Sequence, residues 1–121
     1  RVKIKDDKML MIDPQGYLEF MYLVKNAKGI ITDSGGITEE ATVLHVPCLT
    51  LRNSTERPET VTLGTNELIG DDIYKLKPSL KKIIDGNWKK GTIPPFWDGR
   101  TSERIIDAIS SIYKVKTLLN A

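Results

Sequence analysis

The stretch Gly29 to Ala41, GIITDSGGITEEA, constrains this chain more than any other, because it passes from strand to helix within four positions. Gly29-Ile30-Ile31-Thr32 is a short β-branched run that predicts a strand covered on both faces, and the residues from about Gly35 to His45 predict a helix. Two glycines stand where the two meet. Glycine lets a ligand approach the backbone without a Cβ in the way, and the first amides of a helix lack internal partners and carry its positive dipole end. Such a junction suits an anion, above all a phosphate, held by the amides of Gly35 and Gly36 with Ser34 adding a hydroxyl. The same pattern also arises for steric reasons alone in α/β proteins. Glu39-Glu40 lies one turn further on, where a carboxylate can accept hydrogen bonds from the hydroxyls of a ribose, although acids near a helix start are also ordinary dipole partners.

Repetition around this junction gives the fold class. Met9-Leu10-Met11-Ile12 reads as a strand stopped by the turn Asp13-Pro14-Gln15-Gly16, and Tyr17, Phe20, Met21 and Val24 recur at helical spacing up to a stop at Asn26 to Gly29. After the central strand and helix, Pro47 to Leu51 predicts a third strand. Successive β-α-β units with short connections imply an α/β fold, a Rossmann-like parallel sheet with flanking helices. Ligands in such sheets bind beyond the carboxyl ends of the strands, so the turns at Asp13-Pro14, Asp33-Ser34 and Arg52-Asn53 are expected to share one crevice.

The polar loop Arg52 to Thr60, RNSTERPET, belongs to the same rim. Arg57 suits either a fork onto a diphosphate or a local surface pair with a glutamate, and Pro58 stiffens the chain behind it. Gly64 to Gly70 predicts a turn and a short strand, and Asp71-Asp72 a cap for the next helix. Pro78 interrupts the helical period of Ile73, Leu76, Leu80, Ile83 and Ile84, so a kink or restart is expected there, with Gly86 as the stop. NWKKGTIPPFWDGR, Asn87 to Arg100, is too punctuated for a regular element. Its Trp88, Phe96 and Trp97 make either a hydrophobic satellite, the favoured alternative, or a stacking surface for a base. Thr101 or Ser102 is expected to cap a last helix, whose Ile105, Ile106, Ile109, Ile112 and Tyr113 line a face in need of a partner.

Composition narrows the class of function. With 121 residues the chain has the size of one domain, and its balance of 18 basic to 16 acidic side chains argues against a large nucleic-acid surface. The single cysteine, Cys48, sits in an apolar run and cannot form an internal disulfide, which fits a buried thiol in a reducing compartment, the cytoplasm by default. No apolar run is long enough to span a bilayer, and the only histidine, His45, has no second metal-ligating neighbour. The charged start, RVKIKDDK, without an initiating Met, reads as a piece of something longer.

The combination TDSGGITEEATVLHVPCLTLR, NSTERPETVTLGTNELIG, DPQGYLEF and WKKGTIPPFWDGRTSERI resembles the C-terminal part of the non-hydrolysing UDP-N-acetylglucosamine 2-epimerases over nearly the whole chain. That resemblance implies one partial domain over residues 1–121, the UDP-holding wall of a two-domain enzyme of GT-B type, with the N-terminal domain and its proton-transferring carboxylates lying upstream. It implies Ser34, Gly35, Gly36 and Arg57 at the UDP diphosphate, Glu40 at the ribose, and Gln15 and Phe20 around the uracil. The implied reaction interconverts UDP-GlcNAc and UDP-ManNAc by eliminating and re-adding UDP with inversion at C2, without a cofactor, in a homodimeric parent; the chain alone is expected to be inactive. A GT-B glycosyltransferase and a non-catalytic UDP-binding module are the alternatives, and the TERPE stretch after DSGG favours the epimerase. Two positions depart from the family's habit: Thr38 stands where Gln is frequent, and His45 where a helix-ending Gly is frequent.

Overall fold

The computed structural model describes residues 8–119. Its centre is a three-stranded parallel sheet in the order β1 (Ile30–Thr32), β2 (Cys48–Thr50), β3 (Asn66–Leu68), with Ile30 opposite Cys48 and Cys48 opposite Asn66. Helix α1 (Tyr17–Asn26) precedes β1, and α2 (Gly35–Val43) and α3 (Pro58–Thr62) make the two crossovers. Helices α4 (Ile73–Ile84) and α5 (Thr101–Leu119) follow the sheet. The parallel sheet with flanking helices is the Rossmann-like α/β arrangement expected from the alternating sequence pattern.

Alternation along the strands assigns the two faces of the sheet. Cys48, Thr50 and Asn66 share one face, where Asn66 is bonded to Thr60 of α3. Leu49 and Ile69 face the other way and make a core with Ile83, against which Leu76, Leu80 and Trp88 pack. That is the apolar stripe of α4, applied to β2 and β3. Helix α4 begins where Asp72 accepts the Tyr74 amide at 2.9 Å and ends at Gly86, whose φ is +73°.

Four expectations need correction. Residues Met9 to Ile12 are exposed and form no strand, because an apolar run makes a strand only where a neighbouring ladder receives it. Strand β1 is not covered on both faces: Ile31 is 47% exposed, since α4 packs over β2 and β3 and leaves this edge open. Pro78 does not restart α4, which runs continuously through it from Ile73 to Ile84. The carbonyl that loses its donor is that of Tyr74, a solvent-facing residue, so water can replace the bond. Thr101 and Ser102 lie inside the first turn of α5 rather than before it.

The three aromatics of the 87–100 loop do not form one satellite. Trp88 joins the core and donates its indole N–H to the Thr65 carbonyl at 2.7 Å. Phe96, at φ +70°, carries the Arg104 guanidinium 5.1 Å above its ring, and Arg104 in turn grips Asp98. Trp97 reaches the groove between α1 and α2. The apolar residues of α5, Ile105, Ile106, Ile109, Ile112 and Tyr113, are all exposed, so the face expected to be covered stands open to solvent.

Candidate functional site

The loops that leave the carboxyl ends of β1 and β2 meet around the start of α2. Ser34 is the residue before the helix, in an extended conformation, and its hydroxyl makes no capping bond. Its amide donates to Thr32 Oγ1 at 3.0 Å, which fixes the turn. A Cβ on Gly35 would stand 3.4 Å from Glu56 Oε2 and 3.7 Å from Arg52 Nη1, whereas one on Gly36 would meet nothing within 4 Å. Gly35 therefore lies under an Arg52–Glu56 pair from the second loop, and Gly36 faces open space. Inside the helix, Thr38 turns its hydroxyl back to the Gly35 carbonyl at 2.6 Å.

Arg52 grips Glu56 with two hydrogen bonds, of 3.1 and 2.7 Å. These bonds hold the Glu56 carboxyl below the usual range, while Glu56, with a smaller contribution from Asp33, raises the Arg52 guanidinium. Arg57, the residue before α3, places Nε 2.8 Å from Glu39 Oε1 on α2. Of the two alternatives open to Arg57, the glutamate pair is formed, and its partner comes from the other loop's helix.

The backbone of Arg57 is anchored from below. Its carbonyl accepts from the amide and hydroxyl of Thr60 at 3.0 and 2.8 Å, and its own amide donates to Thr55 Oγ1 at 3.1 Å. The Thr60 hydroxyl receives the Asn66 amide at 3.2 Å, and Asn66 Oδ1 receives the Thr50 hydroxyl at 2.7 Å. A buried polar chain thus runs from the middle of β2 to the root of Arg57. Pro58 opens α3, where a missing N–H costs nothing; the expected polar loop thus holds a short helix, whose signal is Pro followed by Glu at its start.

Glu40 faces α1. Its negative charge, and then a hydrogen bond from the phenol, raise the Tyr17 hydroxyl above the ordinary tyrosine range. Tyr17, Glu39 and Glu40 line one groove of about 540 Å³ with Tyr22, Val43 and Trp97. Both acids fall in the second turn of α2 and not its first.

Of the expected site residues, Ser34, Gly35 and Gly36 form the start of α2, Glu40 lies in its second turn on the groove toward α1, and Arg57 reaches that second turn through Glu39. Gln15 does not line the groove of Glu40. Its side-chain amide donates to the Asp13 carbonyl at 2.7 Å, and it lines a separate depression with Leu10, Ile12 and Tyr22. Phe20 is half-exposed on α1, one turn from Tyr17. Arg52 and Tyr17 are the neighbours that sequence reasoning passed over. An Arg and a Glu four apart, as in Arg52 and Glu56, was the available signal for the first; no local signal linked Tyr17 to Glu40. Among the described residues no cluster of His, Cys, Asp and Glu could hold a metal ion, and no helix is long and apolar enough to cross a membrane.

Known proteins are similar to this chain in sequence and fold. A Methanocaldococcus jannaschii UDP-N-acetylglucosamine 2-epimerase is 50% identical over 107 residues, covering 86% of this chain and 28% of that protein. An Escherichia coli O157:H7 UDP-N-acetylglucosamine 2-epimerase is 39% identical over 107 residues, with 85% and 28% covered. Among solved structures, the M. jannaschii UDP-GlcNAc 2-epimerase in complex with UDP-GlcNAc and UDP aligns with a TM-score of 0.67 at 49% identity, covering 83% of this chain and 27% of that one. An S. aureus MnaA–UDP co-structure aligns at 0.74 and 35% identity, with 90% and 30% covered. The chain therefore spans under a third of the length of the relatives it matches. The family model described as UDP-N-acetylglucosamine 2-epimerase matches residues 1–110, and the chain belongs to that family.

Proposed function

We propose that this chain is the UDP-binding part of an epimerase that interconverts UDP-GlcNAc and UDP-ManNAc. The observation that carries the reading is that the loop after β2 meets the first two turns of α2, with the Arg52–Glu56 pair over Gly35 and Arg57 on Glu39. The diphosphate lies against the amides of Gly35 and Gly36, the Ser34 hydroxyl and the Arg57 fork, since orphan amides and a planar guanidinium are both suited to phosphate oxygens. Glu40 accepts the ribose hydroxyls, and Gln15 and Phe20 bound the uracil. Two related solved structures, one in complex with UDP-GlcNAc and UDP and one with UDP, support the binding of UDP by this part of the fold.

In the reaction a proton leaves C2, the C1–O bond breaks, and its electron pair departs with UDP, leaving a glycal. UDP then adds back at C1 as a proton arrives at C2 from the opposite face. This chain clamps the leaving group. Three acids of its crevice have partners, Glu56 in Arg52, Glu39 in Arg57 and Glu40 in Tyr17, and no acid of this chain is assigned as the base at C2. The proton-transferring carboxylates belong to the preceding domain of a longer, homodimeric, cytoplasmic protein of GT-B type, in which residues 1–121 form part of one domain.

Calorimetric titration of the chain with UDP tests the reading. Binding that is abolished in Gly35→Val, with the circular dichroism spectrum retained, is the expected result; normal UDP binding by Gly35→Val overturns the cradle. Incubation with UDP-GlcNAc followed by NMR is expected to yield no UDP-ManNAc, and turnover would reveal a base among these acids.

A further inference from the structure

We infer that Glu39 is a positioning residue that aims the Arg57 guanidinium at the diphosphate; the inference rests on the UDP-binding reading above. The sequence gives Glu39 and Glu40 the same chemistry and adjacent places. Their side chains part company: Glu40 turns to Tyr17 on α1, and Glu39 crosses to Arg57 at the head of α3.

Arg57 is well fixed up to its Cα. Thr55 and Thr60 hold its amide and carbonyl, the buried Asn66 and Thr50 stand behind Thr60, and Pro58 follows it. Beyond Cα the side chain has several free torsions and is about half exposed, so the backbone anchors do not decide where the guanidinium points. The Glu39 contact decides it. It is made at Nε, 2.8 Å from Glu39 Oε1, while the two Nη groups carry the fork that suits phosphate oxygens.

The alternative is that the pair serves stability. At 53% and 37% side-chain exposure it is a surface ion pair, a class that contributes little to folding. A bare carboxylate one turn from an anion cradle would also repel a diphosphate. Its presence there is explained when its charge is matched by Arg57 and its oxygen orients the donor.

Calorimetry on the chain with UDP and with uridine, using Glu39→Ala, Glu39→Gln, Arg57→Ala and the double variant Glu39→Ala/Arg57→Ala, tests this. Arg57→Ala is expected to weaken UDP roughly 10-fold or more. Glu39→Ala should weaken it at least about 3-fold, and the double variant should be no weaker than Arg57→Ala, because the two residues act as one unit. Glu39→Gln keeps an oxygen for Nε and should recover part of the loss. Uridine, which lacks the diphosphate, should bind all four alike, a pattern that general loosening of the fold would not produce. If Arg57→Ala weakens UDP while Glu39→Ala binds as well as the wild type, or if the effects simply add, Glu39 does not position Arg57. If the wild type ignores UDP or Arg57→Ala changes nothing, the diphosphate reading falls, and this inference with it.

Discussion

The Tyr17 phenol at the start of α1 stands close enough to the Glu40 carboxylate on α2 to feel its charge, and both line the groove between the two helices. Ionising Tyr17 would set a second negative charge against Glu40, so the phenol holds its proton to higher pH than usual. The contact therefore persists through neutral pH and turns repulsive once pH rises past that raised value. Near-ultraviolet absorbance titration should show one tyrosine moving back toward the ordinary range in Glu40→Gln. An unchanged titration curve would mean that the two groups do not interact.

Glu40→Ala should weaken UDP by roughly 10- to 100-fold, the loss expected for hydrogen bonds to a charged group. The same variant should barely distinguish UDP from its 2′-deoxy analogue, which the wild type discriminates. Calorimetry with both nucleotides checks this, and continued discrimination would move the ribose elsewhere.

Helices α2 and α4 end in the same way, with one non-helical residue at positive φ and two backprotected carbonyls. At α4 that residue is Gly86, with its amide to Ile83 and that of Asn87 to Lys82. At α2 it is His45, at φ +56°, with its amide to Thr42 and that of Val46 to Ala41. A side chain in this left-handed conformation costs about 1 kcal/mol that glycine avoids. His45→Gly should thus raise the unfolding free energy by about 1 kcal/mol, read as a higher urea midpoint at unchanged m.

Cys48 is wholly buried, and desolvation pushes its thiol up to about 11 from 9.0, against a smaller lowering by Thr50. Burial of the neutral thiol contributes fully below pH 9.0 and is lost as pH climbs toward about 11, because the unfolded chain ionises first. The difference of about 2 pK amounts to an order of 2–3 kcal/mol. Denaturant unfolding across this window should show a fall in stability that Cys48→Ala lacks. The folded chain should also resist thiol reagents at neutral pH.

Gly64 admits no side chain. A Cβ there would lie 2.4 Å from Thr42 Oγ1, 2.6 Å from Thr42 Cγ2 and 2.6 Å from the Thr60 carbonyl, and both threonines are buried. Gly64→Ala should cost about 1–3 kcal/mol or more by forcing α2 and α3 apart. Gly36→Ala, with open space around its Cβ, should fold at least as well as wild type. Unfolding of the two variants side by side makes the comparison.

Much of this arrangement was legible before any coordinates. The GIITDSGG junction announces its strand, turn and helix through local chemistry alone, and β1 and α2 start within a residue of where that chemistry puts them. Met9 to Ile12 has equal apolar character and forms no strand, since periodicity records what a segment is able to pair with and not whether a partner is beside it. Pro78 sits mid-helix because α4 has a firm cap, a packed stripe and a wet carbonyl to spare, which together outweigh one residue's preference. The site divides in the same way. The place of Ser34 to Gly36 at a helix start is legible from spacing, whereas the separate partners of Glu39 and Glu40 depend on which helices α2 meets in three dimensions.

The buried chain from Thr50 through Asn66 to Thr60 also settles a matter of alignment. Strands of three residues carry too little apolar alternation to hold their neighbours in step. Sliding β3 by one residue would swing Asn66 to the face beneath α4, leaving the Thr50 hydroxyl and the Asn66 amide without partners in a dry interior. The amide therefore works as a key cut for one lock: the sheet closes in one register or remains open, and the loops that carry Arg52 and Arg57 arrive at α2 only when it closes.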